Sequence, residues 1–210
     1  DMPLLEVLHE VYYSRDYTPP GFEIRPSDQV VDLGANVGIF SIYAAHRTKK
    51  TIHAYEPFPP TIEYLRANLE NNGIHNVVVH QCAVTSTSIE SARLFLSNSI
   101  GGHRLFQAND QEVLEQYIEV PTVTLPEIME RQKMKIIDHL KIDCEGAEGV
   151  IFSSTSTDYL KRIQKIALEF HDNVSSLNHK EIIALFEKSG FSCSVKWNRQ
   201  FAVGYIYAKR

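Results

Sequence analysis

From residue 29 onward, short β-branched runs alternate with segments whose apolar residues recur at helical spacing, the pattern of βα units that build a mainly parallel sheet. The runs predict strands near 29–33, 51–56, 77–82, 138–143 and 164–170, and a closing antiparallel pair near 191–196 and 203–208. Helices fall between them. After Pro60, Ile62, Leu65 and Leu69 share one helix face, and Gly73 follows where a left-handed C-cap glycine belongs. Ile182, Ile183, Leu185 and Phe186 repeat this pattern before Gly190, and Pro126 suits the first turn of a short helix beginning near Leu125. Residues 93–124 break the alternation: 92–96 and 117–120 read as strands around a polar stretch with Gly101-Gly102, an inserted β arm. Residues 1–28, with Tyr12, Tyr13, Tyr17, Pro19 and Pro20, read as a helix and loop laid over the sheet edge. The pattern predicts one doubly wound α/β domain over residues 1–210.

Composition narrows the function classes. At 210 residues with 43% hydrophobic content, the chain can bury one substantial core. No apolar run approaches the roughly 20 residues that cross a bilayer, so no membrane span is expected. Asp1-Met2-Pro3-Leu4-Leu5-Glu6 lacks a basic start followed by an apolar stretch, so no secretory signal is expected, and a start at Asp1 suits a piece of a larger multidomain or oligomeric context. Cys82, Cys144 and Cys193 are odd in number and lack metal or redox spacing; they read as small buried apolar groups in a reducing, cytoplasmic setting. A net charge of -5 with scattered basic residues offers no track for a nucleic-acid backbone.

Val30-Val31-Asp32-Leu33-Gly34-Ala35-Asn36-Val37-Gly38 runs from a buried strand through a glycine turn into a helix, the place where open α/β sheets bind cofactors. A dinucleotide fingerprint would put glycines at Asn36 and Ile39, and a P-loop would supply a lysine; neither is present, which argues against pyrophosphate and a nicotinamide dehydrogenase. The acid in the turn, Asp32, suits a ligand bearing positive charge, and S-adenosylmethionine carries both an ammonium and a sulfonium. Glu56 ends the next strand, where an acid accepts hydrogen bonds from ribose hydroxyls, with Pro57 and Phe58 placed to border an adenine. Taken singly, Asp32 also reads as a helix cap and Glu56 as a solvated strand end; the combination carries the cofactor reading.

With Tyr55-Glu56-Pro57 and Leu140-Lys141-Ile142-Asp143-Cys144-Glu145-Gly146-Ala147-Glu148, this turn resembles the FkbM family of methyltransferases, from about Tyr17 to Phe170. The resemblance implies a Rossmann-like class I methyltransferase with a seven-stranded sheet, using S-adenosylmethionine mostly for O-methylation of sugars and natural products. It implies cofactor contacts from Asp32, Gly34, Ala35, Asn36, Gly38 and Glu56, with Ala83 and Asp143 beside the cofactor and Tyr17 closing over it, although Tyr17 also reads as packing. Cys144 replaces an aliphatic residue common in the family and is expected to be buried and neutral.

No Asn/Asp-Pro-Pro-aromatic motif stands at Asp143-Cys144-Glu145-Gly146, which favours a small-molecule or saccharide hydroxyl as acceptor. A non-catalytic cofactor-binding module of a larger assembly is the alternative. The arm, with Ser99, Gly101, Gly102 and His103 near its tip, is expected to line the acceptor pocket, although His103 also reads as an ordinary loop residue. His171, at the end of the fifth strand, is the first candidate base, with Asp143 and Glu145 as alternatives. Asp143, Glu145, Glu169 and His171 could instead hold a divalent cation. The bland reading makes Asp143 and Glu145 helix caps and His171 a strand end.

Overall fold

The computed structural model describes residues 2–97, 102–106, 115–197 and 202–210. Its centre is a seven-stranded sheet in the order β3 (Val77–His80), β2 (Ile52–Tyr55), β1 (Val30–Leu33), β8 (His139–Ile142), β9 (Lys165–His171), β11 (Val203–Lys209) and β10 (Ser192–Trp197). β3, β2, β1, β8 and β9 pair in parallel, and β11 runs antiparallel to both its neighbours. This is the class I methyltransferase sheet that the family resemblance implied. The chain steps outward from β1 to β2 and β3, then returns to lay β8 on the other side of β1. The order therefore reverses between β1 and β8, and a crevice opens beyond their carboxyl ends.

The two faces are covered separately. In β1, Val31 and Leu33 join the core beneath α4 (Leu125–Arg131), α5 (Glu148–Ser154) and α7 (His179–Lys188), whereas Val30 joins the opposite core with Phe40 and Tyr43 of α2 (Ile39–Ala45). Ile62, Leu65 and Leu69 are buried on α3 (Pro59–Asn71), and Gly73 has φ 64°, as the predicted helix stop requires. Both later predicted helices form behind capping boxes, Thr124 with Glu127 and Asn178 with Glu181.

The leading residues differ from expectation. After α1 (Met2–Leu8) and one turn of π-helix (His9–Ser14), Val11, Tyr17, Phe22 and Ile24 pack on the α2 face against Ala167, Tyr205 and Tyr207, not along an edge. α2 leaves the β9–β11 part of that face uncovered, and the apolar lead-in fills it. In the arm, β5 (Ala92–Phe95) and β6 (Tyr117–Val120) form the antiparallel ribbon, while β4 (Ala83–Val84) and β7 (Thr122–Val123) add a short parallel pair that periodicity did not reveal. The three cysteines are free and only partly buried. Burial nonetheless pushes the thiols of Cys144 and Cys82 upward, Cys82 to about 11, so both stay neutral. No helix of the described residues is long and apolar enough to cross a membrane.

Candidate active site

The glycine turn is held from behind by backbone. Gly34 and Ala35 both donate their N–H to Tyr55 O, at 3.0 and 2.9 Å. Gly34 has φ 73°, and a Cβ there would lie 1.7 Å from Asp143 O. Its need for glycine thus comes from the backbone of the residue after β8, not from a ligand. Gly38, at φ 89°, faces Leu65 of α3, where a Cβ would approach Cγ to 3.1 Å, so helix packing by itself calls for glycine there. Asn36 takes φ 49°, and its N–H donates to Glu56 Oε2 at 3.0 Å while Phe58 N–H donates to Glu56 Oε1 at 2.9 Å. Two backbone donors aim the carboxylate and leave lone pairs for a ligand. Burial, only partly offset by these donors, pushes its carboxyl up to about 7.

Glu56 closes one end of a cleft that opens to solvent and is walled there by Pro57, Ala83, Leu94, His103 and Leu105. Phe58 stands behind this wall, its ring 4.1 Å from that of His103, whose Nδ1 accepts from Ser97 N–H at 3.0 Å. Burial lowers the His103 pKa, so the ring is neutral. The described part of the arm therefore borders the Glu56 end through His103 and Leu105, and its Arg104 lies close enough to Glu145 to favour that carboxylate's charged form. Ser99 lies outside the described residues. Gly34, Asn36, Asp143, Cys144 and Glu145 continue the cleft wall.

The other end is built from charges that hold one another. Asp32 is fully buried and does not face the cleft: its Oδ2 accepts from Ser41 Oγ at 2.7 Å, and its Oδ1 lies 3.3 Å from Lys141 Nζ. The expected ligand cation is replaced by an internal one. Lys141 Nζ also donates to Gly34 O at 2.5 Å and Leu33 O at 3.4 Å and stands 3.9 Å from Asp143 Oδ2. Burial opposes its charge, but Asp32 and then Asp143 outweigh that and raise its pKa. Tyr17 is buried; its hydroxyl donates to Glu169 Oε2 at 2.6 Å and lies 3.2 Å from Asp143 Oδ2. Burial and Asp143 together raise the Glu169 pKa.

His171 sits between two carboxylates, Nδ1 3.2 Å from Glu148 Oε1 and Nε2 3.6 Å from Glu145 Oε2. Burial disfavours the imidazolium, yet Glu148 and then Glu145 hold its pKa well above the usual value. The two acids favour the protonated ring, which speaks against His171 as the free base. Glu145 instead lines the cleft, at φ 49°, a strained conformation for a non-glycine residue. Glu148 Oε1 in turn accepts from Cys144 N–H and Gly146 N–H, which fixes the loop carrying Glu145.

Asp143, Glu145 and His171 each offer a ligand atom within 4.8 Å of the others. Glu169, the fourth suggested ligand, is bonded to Tyr17 and outside this group. Sequence alone assigns no role to Lys141 or Glu148, although a lysine in a short central strand beside Leu140 and Ile142 is a readable signal.

Residues 32–193 match the Methyltransferase FkbM domain. The chain is 28% identical, over 92% of its length and 84% of the relative, to 31-O-demethyl-FK506 methyltransferase FkbM of Streptomyces tacrolimicus. Its fold is similar to that of methyltransferase FkbM from Methylobacillus flagellatus, with TM-score 0.56, 14% identity, and coverage of 96% of this chain and 47% of that one. It is likewise similar to a Streptococcus mutans protein solved in complex with SAH, with TM-score 0.55, 10% identity, and coverage of 95% and 96%. With the glycine turn, Glu56 and the Asp143–Glu148 loop on one crevice, and with most of its length matched, this chain belongs to the FkbM family of methyltransferases.

Proposed function

We propose that the chain acts as a single methyltransferase domain that takes its methyl group from S-adenosylmethionine and passes it to a hydroxyl of a small molecule or saccharide. The carrying observation is that Glu56 and Glu145 wall one cleft, a ribose-type acceptor at one end and a carboxylate suited to take up a proton at the other. The residues fit the donor. Glu56 has free lone pairs beside the apolar Pro57 and Ala83, which suits ribose hydroxyls and adenine, and Gly34, Ala35, Asn36 and Asp143 border the path onward.

When bound, the donor supplies a methyl on a positively charged sulfur, and the acceptor oxygen must lose a proton during transfer. Glu145 is the base this geometry supports best, because it lines the cleft while Glu148 and Glu145 favour the protonated form of the buried His171 behind it. The name of the Streptomyces relative, an O-demethyl compound's methyltransferase, supports a hydroxyl as target. The net charge of -5 and scattered basic residues speak against nucleic acid as the acceptor.

The decisive experiment incubates the chain with isotopically labelled S-adenosylmethionine and a panel of hydroxylated metabolites and saccharides, read by mass spectrometry. A methyl ether should form, and Glu145→Gln should lower its rate by about 100-fold or more. SAH binding with no turnover on any acceptor would favour the non-catalytic module. The grouping of Asp143, Glu145 and His171 supports a second reading, a divalent cation that lowers the acceptor's pKa. Turnover that is unchanged after chelation removes it.

A further inference from the structure

A second, smaller cavity runs beneath the lead-in segment, walled by Glu10, Tyr17, Asn36, Val37, Lys141 and Asp143. Gly34, Asn36 and Asp143 wall both cavities, so the two adjoin across the glycine turn. A nucleoside held at Glu56 would therefore direct the rest of its molecule toward this chamber.

Most charges around the chamber are already engaged. Asp32 is held by Lys141 and Ser41; Lys141 directs its protons to Asp32 and to the carbonyls of Gly34 and Leu33; Glu169 takes the Tyr17 hydroxyl. Glu10 differs. Among the described residues no hydrogen-bond donor reaches its half-buried carboxylate, and the like charges of Asp143, Asp16 and Glu6 outweigh the one opposite charge acting on it, that of Lys141. Burial, then these neighbours, push the Glu10 carboxyl up to about 7. It is carried on the π-turn His9–Ser14, which closes through left-handed Arg15 (φ 53°) with Asp16 N–H donating to Glu10 O at 2.8 Å. Single π-turns recur at functional segments. A carboxylate without a donor, facing a cavity and beside more like than opposite charge, is suited to a cation supplied by the ligand.

We propose that Glu10, together with Asp143, accepts the ammonium of the methyl donor, so that the lead-in segment reads the amino-acid end of the cofactor. This rests on the donor assignment above and replaces the role expected of Asp32.

The test titrates the full chain calorimetrically with S-adenosylhomocysteine and with its deaminated analogue, which lacks the α-amino group. The wild type should bind the first at least about tenfold more tightly than the second. Glu10→Gln should lose about tenfold for S-adenosylhomocysteine and no more than about twofold for the analogue, and Glu10→Asp, which keeps the charge, should recover part of the discrimination. Equal loss for both ligands would mean that Glu10 only supports the lead-in fold, and unchanged affinity for S-adenosylhomocysteine would leave Asp143 sufficient; either overturns the proposal. Failure of the wild type to bind S-adenosylhomocysteine at all strikes the donor assignment itself and this proposal with it.

Discussion

The two ends of the crevice are built on different principles. At the Glu56 end, a single carboxylate is aimed by two backbone N–H groups and surrounded by apolar walls, so its geometry depends on chain path. At the other end, Asp32, Lys141, Asp143, Tyr17, Glu169, Glu145, His171 and Glu148 position one another through side-chain contacts. A backbone-defined site tolerates loss of its ligand-facing group. A charge-defined one does not, because removing one partner leaves another ionised and unpaired in a poorly solvated place.

The largest effect should come from the charged end. Lys141→Met strands Asp32 in the core and should cost about 3–5 kcal/mol of folding stability in urea titration, with Lys141→Met/Asp32→Asn recovering a substantial part. Equal stability of the single mutant and the wild type would erase the distinction between the two ends.

Glu56→Ala should be milder for the fold and specific for binding: S-adenosylhomocysteine affinity should fall by about 1.5–3 kcal/mol in calorimetry, the scale of a charge-assisted hydrogen bond, with little change in urea midpoint. A large stability loss with intact affinity would reverse its role.

The smallest effect concerns pH. The carboxyls of Glu56, Glu145 and Glu169 are raised, chiefly by burial, Glu56 to about 7. Each binds its proton more tightly folded than unfolded, so its contribution is full below the ordinary carboxylate value and lost as pH rises through the folded one. The raised His171 acts in the same sense at higher pH. His53 and His139, lowered by burial to about 4 and about 3, act oppositely, but only below their ordinary value near 6.5. Above pH 6.5 the carboxylates therefore act without that opposition, and Tm of the ligand-free chain should fall by a few degrees, about 2 to 4, between pH 6.5 and 8.5. Glu169→Gln should flatten this slope more than Glu56→Gln, since the charged end holds more raised groups. A flat profile in the wild type would refute the shifts.

The same contrast explains what could be read in advance. The glycine turn, Glu56 and the Asp143–Glu148 loop are contiguous in sequence, so local spacing reveals them. His171 stands out in the sequence for its place at a strand end, but its partners are far along the chain or on another element, and its raised pKa follows from Glu148 and Glu145, not from its neighbours in sequence. Glu10 gave no signal, because nothing local distinguishes it from any acid on a short helix.

By itself, the sequence determined the succession of the main strands and helices along the chain and the family, because periodicity, glycine position and contiguous motifs are properties of short stretches of chain. Only the tertiary structure decided that Asp32 serves Lys141 and that Gly34 makes room for Asp143. It also decided that the lead-in covers a sheet face and that His171 is held between two acids. Each of these depends on which distant side chains share a desolvated volume, and burial sets how strongly their charges and contacts are felt.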